Sequence, residues 1–123
     1  TPKPSSAASD VYKRQIQAWL QCCLDTRDRA EAERAWSFMH EQNIIPTATC
    51  FERMARMHLM QEQYEEAFTL LEQTKHCALV PTRRMYAAMI WTCWQHNDER
   101  WRDLMQEMQE ARYEPGERLR ALN

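Results

Sequence analysis

Cysteine and histidine side chains are the usual ligands of zinc in proteins, and cysteines can also form disulfide bonds. In this sequence they are Cys22, Cys23, Cys50, Cys77 and Cys93, together with His40, His58, His76 and His96. Their spacing contains no paired CxxC motif and no two histidines four residues apart, so it predicts no zinc site. An odd number of scattered cysteines favours free thiols, buried or half-buried, in a reducing compartment. We expect neither a bound metal nor a cofactor.

The sequence also gives no indication of catalytic groups. Its single glycine, Gly116, excludes a glycine-rich phosphate loop, a dinucleotide-binding fingerprint and a glycine-flanked nucleophilic serine. No nucleophile–base set stands out, and adjacent carboxylates such as Glu65 and Glu66 are typical of a solvated helix surface. We therefore predict that the protein is not an enzyme.

The composition is that of one globular domain built from helices. The chain has 123 residues, a net charge of −2, 44% hydrophobic and 28% charged residues. Tight hairpin turns usually require glycine, so a β-rich fold is disfavoured. The first residues, 1–13, are predicted to be a disordered or artefactual lead-in, because 1–9 lack apolar periodicity and SSAASDVYKRQ resembles a translated sequencing adapter.

The prolines mark an internal repeat. Pro46, Pro81 and Pro115 are separated by 35 and 34 residues, and they follow the similar phrases NIIP, ALVP and RYEP. A period in the thirties is typical of helical repeat arrays. The period predicts three repeats at 14–48, 49–83 and 84–117, with 118–123 as a C-terminal cap or the start of a further repeat.

Each repeat carries the apolar periodicity of two amphipathic helices. First helices are predicted at 10–24, 47–60 and 83–95, and second helices at 28–42, 63–76 and 98–112. The patterns Asp28-x-x-Glu31 and Thr49-x-x-Glu52 indicate capping boxes, and Asn97 or Asp98 is expected to cap the last second helix. The predicted fold is an all-α, right-handed α-solenoid of stacked antiparallel helix pairs.

The unit 49–83 resembles the pentatricopeptide repeat family. The resemblance rests on the aromatic residue Phe51 that opens the first helix, the phrase EEAFTLL at 65–71 and the closing Leu79-Val80-Pro81. The neighbouring units match more loosely. Ile16 replaces the aromatic residue of the first unit, and the positions where the family usually has glycine hold other residues: Asn43, Ala78 and Arg112. Tetratricopeptide repeats are the nearest alternative, although they favour a period of 34.

The resemblance implies a mitochondrial or plastid module that binds single-stranded RNA and acts in RNA processing, stability or translation. In that family each repeat addresses about one base. The base-choosing pairs correspond to Gln17 with Thr47, Glu52 with Thr82, and Ala87 with Gly116, and the residues that sandwich bases to Arg14, Thr49 and Arg84. None of these pairs is a selective combination of the family, so no base sequence can be predicted. The residues expected to contact RNA are Gln17, Thr47, Thr49, Glu52, Arg53, Arg56, Thr82, Arg83, Arg84, Ala87 and Gly116.

The distribution of charge favours RNA binding independently of the family. Over the predicted helices, the first helices carry a net charge of +4 and the second helices −7. Stacked helix pairs would place these charges on opposite surfaces, and a basic surface can hold phosphates. The alternative is a protein–protein interaction scaffold, in which Trp91, Trp94 and Trp101 would form part of a contact surface.

Overall fold

The fold is all-α, as the sequence predicts. The structure, a computed structural model, describes residues 6–122, with side chains from residue 10 onward. This part of the chain forms seven helices and no strand. They are α1 (Ser6–Thr26), α2 (Arg29–Glu41), α3 (Ala48–Met60), α4 (Tyr64–His76), α5 (Arg83–Gln95), α6 (Arg100–Glu110) and α7 (Glu117–Arg120).

The predicted helix boundaries agree with these bounds within two residues, except at the beginning of α1. That helix begins at Ser6, inside the segment 1–13 that was predicted to be a disordered or artefactual lead-in. Residues 1–5 lie outside the described part of the chain. The additional residues at the other end of α1 bring Asp25 into a first helix, which lowers the net charge of the first helices by one.

The helices pack as three hairpins. Short turns of two, three and four residues join α1 to α2, α3 to α4 and α5 to α6, and each of these pairs is in contact. The hairpins are joined by six-residue connections that contain the prolines. Successive odd-numbered helices also pack side by side, from α1 through α3 and α5 to α7. We call α1, α3, α5 and α7 the first-helix row, and α2, α4 and α6 the second helices.

The core lies between the first-helix row and the second helices. Ile16, Phe51 and Tyr86 occupy equivalent places in α1, α3 and α5, and all three are buried. Three further equivalent residues of the second helices, Met39, Thr74 and Met108, are fully buried. The buried hydroxyl of Thr74 donates a hydrogen bond to the Leu70 carbonyl, so this polar group is satisfied within its own helix.

Each of the helices α1 to α6 ends in a Schellman motif without glycine. At each end one residue has a positive φ: Arg27, Asn43, Glu62, Ala78, Asn97 and Arg112. The following residue donates its backbone N–H to the carbonyl five positions back, as Leu79 does to Thr74. These turns therefore hold L-residues in a left-handed conformation that glycine adopts at lower cost. The sole glycine, Gly116, has a negative φ and precedes α7 as its N-cap.

Threonine and aspartate side chains cap several of the helices. Thr47 and Thr82 accept hydrogen bonds from the third residue beyond them, at the starts of α3 and α5, and Asp28 does the same for α2. The predicted capping box at Thr49 is wrong, because Thr49 lies one residue inside α3 and the cap is Thr47. The Asp98 carboxylate accepts from the backbone N–H of Arg100 at the start of α6.

Ion pairs join the second and third hairpins through α4 and α6. The Arg100 guanidinium bridges Asp98 at 2.6 Å and Glu65 at 2.7 Å, and it lies 3.8 Å from the centroid of the Phe68 ring. Hydrogen bonding from Arg100 lowers the pKa of the Asp98 and Glu65 carboxyl groups. The Lys75 amine contacts Glu107 at 2.6 Å, which gives these two helices a second polar link.

Candidate nucleic-acid interface

The predicted base-choosing residues lie along the first-helix row. Gln17, Glu52 and Ala87 lie within α1, α3 and α5, each one residue after the buried residue that opens the apolar stripe of its helix. Their predicted partners are the N-cap residues of the next helix in the row, Thr47, Thr82 and Gly116. Because neighbouring helices of the row pack together, each pair belongs to a junction between two first helices.

The middle pair is in direct contact. The Thr82 hydroxyl donates to the Glu52 carboxylate at 2.8 Å, and the Arg56 guanidinium lies 3.5 Å from the other carboxylate oxygen. Glu52 is only 5% exposed. A carboxylate that is this buried exposes little surface to a base edge, and two of its acceptor positions are already occupied. This junction is therefore closed by its own side chains.

Two of the four arginines predicted to contact RNA instead hold backbone of another element. Arg53 donates to the carbonyl of Gln17, which joins α3 to α1. Arg83 donates from Nε to the carbonyl of Glu114 at 3.0 Å, and its guanidinium approaches Gly116. Both contacts span more than thirty residues of sequence, so they fix how neighbouring hairpins sit together.

Of these four arginines, Arg84 remains available. Its side chain is exposed and forms no hydrogen bond or ion pair with any residue in the described range. Thr49 is half-buried and Arg14 is exposed. Among the predicted phosphate contacts, Arg84 therefore has the geometry that a solvent-exposed phosphate or base would require.

The first helices are basic and the second helices are acidic, although the difference in net charge is smaller than the one calculated over the predicted helix boundaries. Helices α1, α3 and α5 carry six basic and three acidic residues, a net charge of +3. The second helices carry five basic and nine acidic residues, a net charge of −4. Part of the predicted −7 resides on caps and turns, because Asp28, Glu62, Asp98 and Glu99 lie outside the helices.

Arg118 lies on the first-helix row and was not among the residues predicted to contact RNA. Its guanidinium lies 3.5 Å from the centroid of the Trp91 ring, in the geometry of a cation–π contact. The sequence contained a signal for this position, namely its spacing from the proline. Arg118 follows Pro115 by three residues, just as Arg84 follows Pro81 and Thr49 follows Pro46. The register of the prolines therefore places Arg118 at the position of Arg84 on the next helix of the row.

Within residues 6–122, no helix is long and apolar enough to cross a membrane. The same residues contain no group of three or more histidine, cysteine, aspartate or glutamate side chains arranged to hold a metal ion. Burial raises the pKa of the Cys93 thiol to about 11, so this buried cysteine stays protonated at neutral pH.

A comparison with protein-family models gives no match, and a comparison with curated proteins gives none either.

Proposed function

We propose that the chain is a module of pentatricopeptide type that binds single-stranded RNA on the exposed surface of its first-helix row. Its three hairpins are units of a right-handed α-solenoid with a period of about 35 residues. The module acts without catalysis in RNA processing, stability or translation in a mitochondrion or plastid. The family and the organelle rest on the sequence resemblance alone.

Regular spacing of the backbone features supports the repeat assignment. The positive-φ residues that end the first helices, Arg27, Glu62 and Asn97, follow one another at intervals of 35. Those that end the second helices, Asn43, Ala78 and Arg112, follow at 35 and 34. Equivalent turns at nearly constant intervals are the feature expected of units that each pack against their neighbours.

The observation that carries the RNA proposal is the difference in charge between the two sets of helices. A net +3 on α1, α3 and α5 against −4 on the second helices favours phosphate on one surface and repels it from the other. Arg84 and Arg14 are exposed on the first-helix row and supply charge that can reach a phosphate. Arg56, whose side chain is one-third exposed, adds charge that Glu52 partly offsets.

The same geometry makes the proposed binding on the first-helix row weak and poorly selective. Three units would address about three bases. Arg53 and Arg83 hold backbone carbonyls, and Glu52 is taken up by Thr82 and Arg56, so the middle unit contributes no base edge contact. Affinity would then come mainly from phosphate contact and stacking, which tolerate any sequence.

A salt titration with a short single-stranded RNA tests the proposal. We expect binding at low salt that weakens as salt rises, and Arg84→Ala should lower the affinity and reduce the salt dependence by roughly one phosphate contact. Arg34→Ala is the matched control, because it removes the same charge from an exposed position on a second helix. Absence of binding at low salt, or equal losses in the two variants, would contradict the proposal.

A specific observation favours a second candidate, a protein-interaction scaffold. Ile45 and Val80 are 65% and 60% exposed at equivalent positions before Pro46 and Pro81. Exposed β-branched side chains repeated along one edge of an array are suited to a protein contact. A partner that survives nuclease treatment, is lost in an Ile45→Gln/Val80→Gln variant and is retained in Arg84→Ala would support the scaffold.

A further inference from the structure

An open cleft lies at the turn between α5 and α6. Its volume is about 210 Å³, and it is lined by Trp94, Asn97, Glu99, Trp101 and Arg102. Trp94 is 38% exposed, and Trp101 is partly exposed. The cleft therefore brings two indole rings together with a carboxylate, an amide and a guanidinium.

The aromatic side of the cleft is held in place by contacts beneath it. The Trp94 ring stacks on Trp91, with 5.5 Å between the ring centroids and 25° between the planes. The Arg118 guanidinium lies 3.5 Å from the Trp91 centroid. A ring supported in this way loses little conformational entropy when a ligand stacks on it.

The polar side chains of the cleft have hydrogen-bonding capacity to spare. Within the described part of the chain, the side chains of Asn97, Glu99 and Arg102 form no hydrogen bond or ion pair with another residue. The Arg102 guanidinium lies over the Trp101 ring, at 5.4 Å from its centroid. The cleft thus offers an acceptor in Glu99 and donors in Arg102 and Asn97.

The third hairpin carries a bulky residue at the position where the other two carry alanine. Ala32 and Ala67 are fully buried where α2 and α4 pack on their first helices. Trp101 follows Ala67 by 34 residues, and its indole is too large for such a site, so it remains partly exposed on α6. Its exposed part borders the cleft.

We propose that this cleft binds a guanine base. Indole rings stack on any base, so selection depends on the polar side chains. Guanine presents N1–H and N2–H donors that a carboxylate accepts as a pair, next to O6 and N7 acceptors that a guanidinium or an amide can serve. Adenine, uracil and cytosine offer no pair of neighbouring donors for the Glu99 carboxylate.

The assignment of this guanine to single-stranded RNA rests on the proposed function, whereas the recognition of the base does not. The cleft lies at the end of α5, the helix that carries Arg84 near its beginning. A strand held at Arg84 would have an additional anchoring point at Trp94, on the same helix. Guanine would then be the one base for which the module has a preference.

The test uses the whole chain with guanosine and adenosine 5′-monophosphates as probes. We expect guanosine monophosphate to quench tryptophan fluorescence in a saturable manner and to shift the Trp94 and Trp101 indole N–H signals in NMR spectra. It should bind roughly fivefold or more tightly than adenosine monophosphate, the discrimination expected of one bidentate base contact. Trp94→Leu, at an exposed position, should weaken the binding of both nucleotides.

Selectivity separates recognition from simple stacking. Glu99→Gln should bring the guanosine-to-adenosine ratio close to one, while Glu41→Gln, the same change at an exposed position on α2, should leave the ratio unaltered. The proposal would be overturned by equal binding of the two nucleotides or by an unchanged ratio in Glu99→Gln. It would also be overturned if tetramethylammonium, a cation that aromatic rings bind, bound more tightly than guanosine monophosphate.

Failure of this proposal and failure of the proposed function give different results. If a guanine-free RNA binds and Arg84→Ala weakens it, but guanosine monophosphate does not bind, the cleft proposal is overturned and the RNA proposal stands. If guanosine monophosphate binds selectively while no RNA binds at low salt, the cleft is supported and the RNA proposal is overturned.

Discussion

Replacing Ala78 by glycine should stabilise the protein. Ala78 has a φ of 59° in the turn after α4, and its side chain is exposed. Its backbone N–H donates to the carbonyl of Lys75, and the turn is completed by the bond from Leu79 to Thr74. Substitution by glycine keeps these bonds, removes no buried contact and relieves the clash that an L-residue meets in this conformation.

The size of the effect follows from two opposing terms. The left-handed conformation costs an L-residue about 1–2 kcal/mol relative to glycine. Glycine also destabilises the folded state by about 0.4–1 kcal/mol, because it increases the conformational entropy of the unfolded chain. The midpoints of the two ranges give a net gain in the free energy of unfolding of about 0.8 kcal/mol. For a chain of this length it corresponds to an increase in Tm of about 2–5 °C.

Urea denaturation followed by circular dichroism measures this change directly. Ala18→Gly is the matched control, since Ala18 is exposed in the interior of α1 and has no positive φ. This control substitution should lower the free energy of unfolding by about 1 kcal/mol, because glycine has a low helix propensity. If Ala78→Gly destabilised the protein as much as Ala18→Gly does, the left-handed turn would not be a source of strain.

Three further predictions concern caps, acid stability and thiols. Thr82→Ala should lower the free energy of unfolding by about 1–2 kcal/mol, because it removes both the N-cap bond of α5 and the donor to the buried Glu52 carboxylate. Thr69→Ala, on the exposed side of α4, should have little effect in the same denaturation assay. The pKa of Asp98 is lowered in the folded state, so its stabilisation is complete above the unfolded value near 4 and is lost as pH falls. Asp98→Asn should therefore reduce the acid dependence of unfolding, and an unchanged dependence would contradict the role of its ion pair. A thiol reagent at pH 8 should modify two of the five cysteines rapidly, the exposed Cys22 and Cys77, and rapid reaction of all five would contradict the buried assignment of the others.

The helices were predictable because their signals are local. Apolar residues recur at helical spacing, prolines and polar residues interrupt them, and the predicted boundaries of α2 to α6 agree with the structure within two residues. The predicted boundary that differed most from the structure was the beginning of α1. The Pro- and Ser-rich composition of residues 1–9 suggested disorder, whereas alanine and the following periodic residues continue the helix back to Ser6.

The candidate site was only partly predictable from the sequence. The proline register put the base-choosing positions at the junctions of first helices, and it also contained the position of Arg118. It could not show that Glu52 is buried against Thr82, because a glutamate on a helix surface and a buried one look the same in sequence.

The sequence by itself determined an all-helical chain, because apolar spacing, prolines and capping residues act over a few residues of backbone. It also determined that the first helices are more basic than the second, since that depends only on which residues each helix contains. The tertiary structure alone decided which charges are available. The partners of Arg53, Arg83 and Arg118 come from other helices or connections, 27 to 36 residues away in sequence, and only the packing of neighbouring hairpins brings them within hydrogen-bonding or stacking distance.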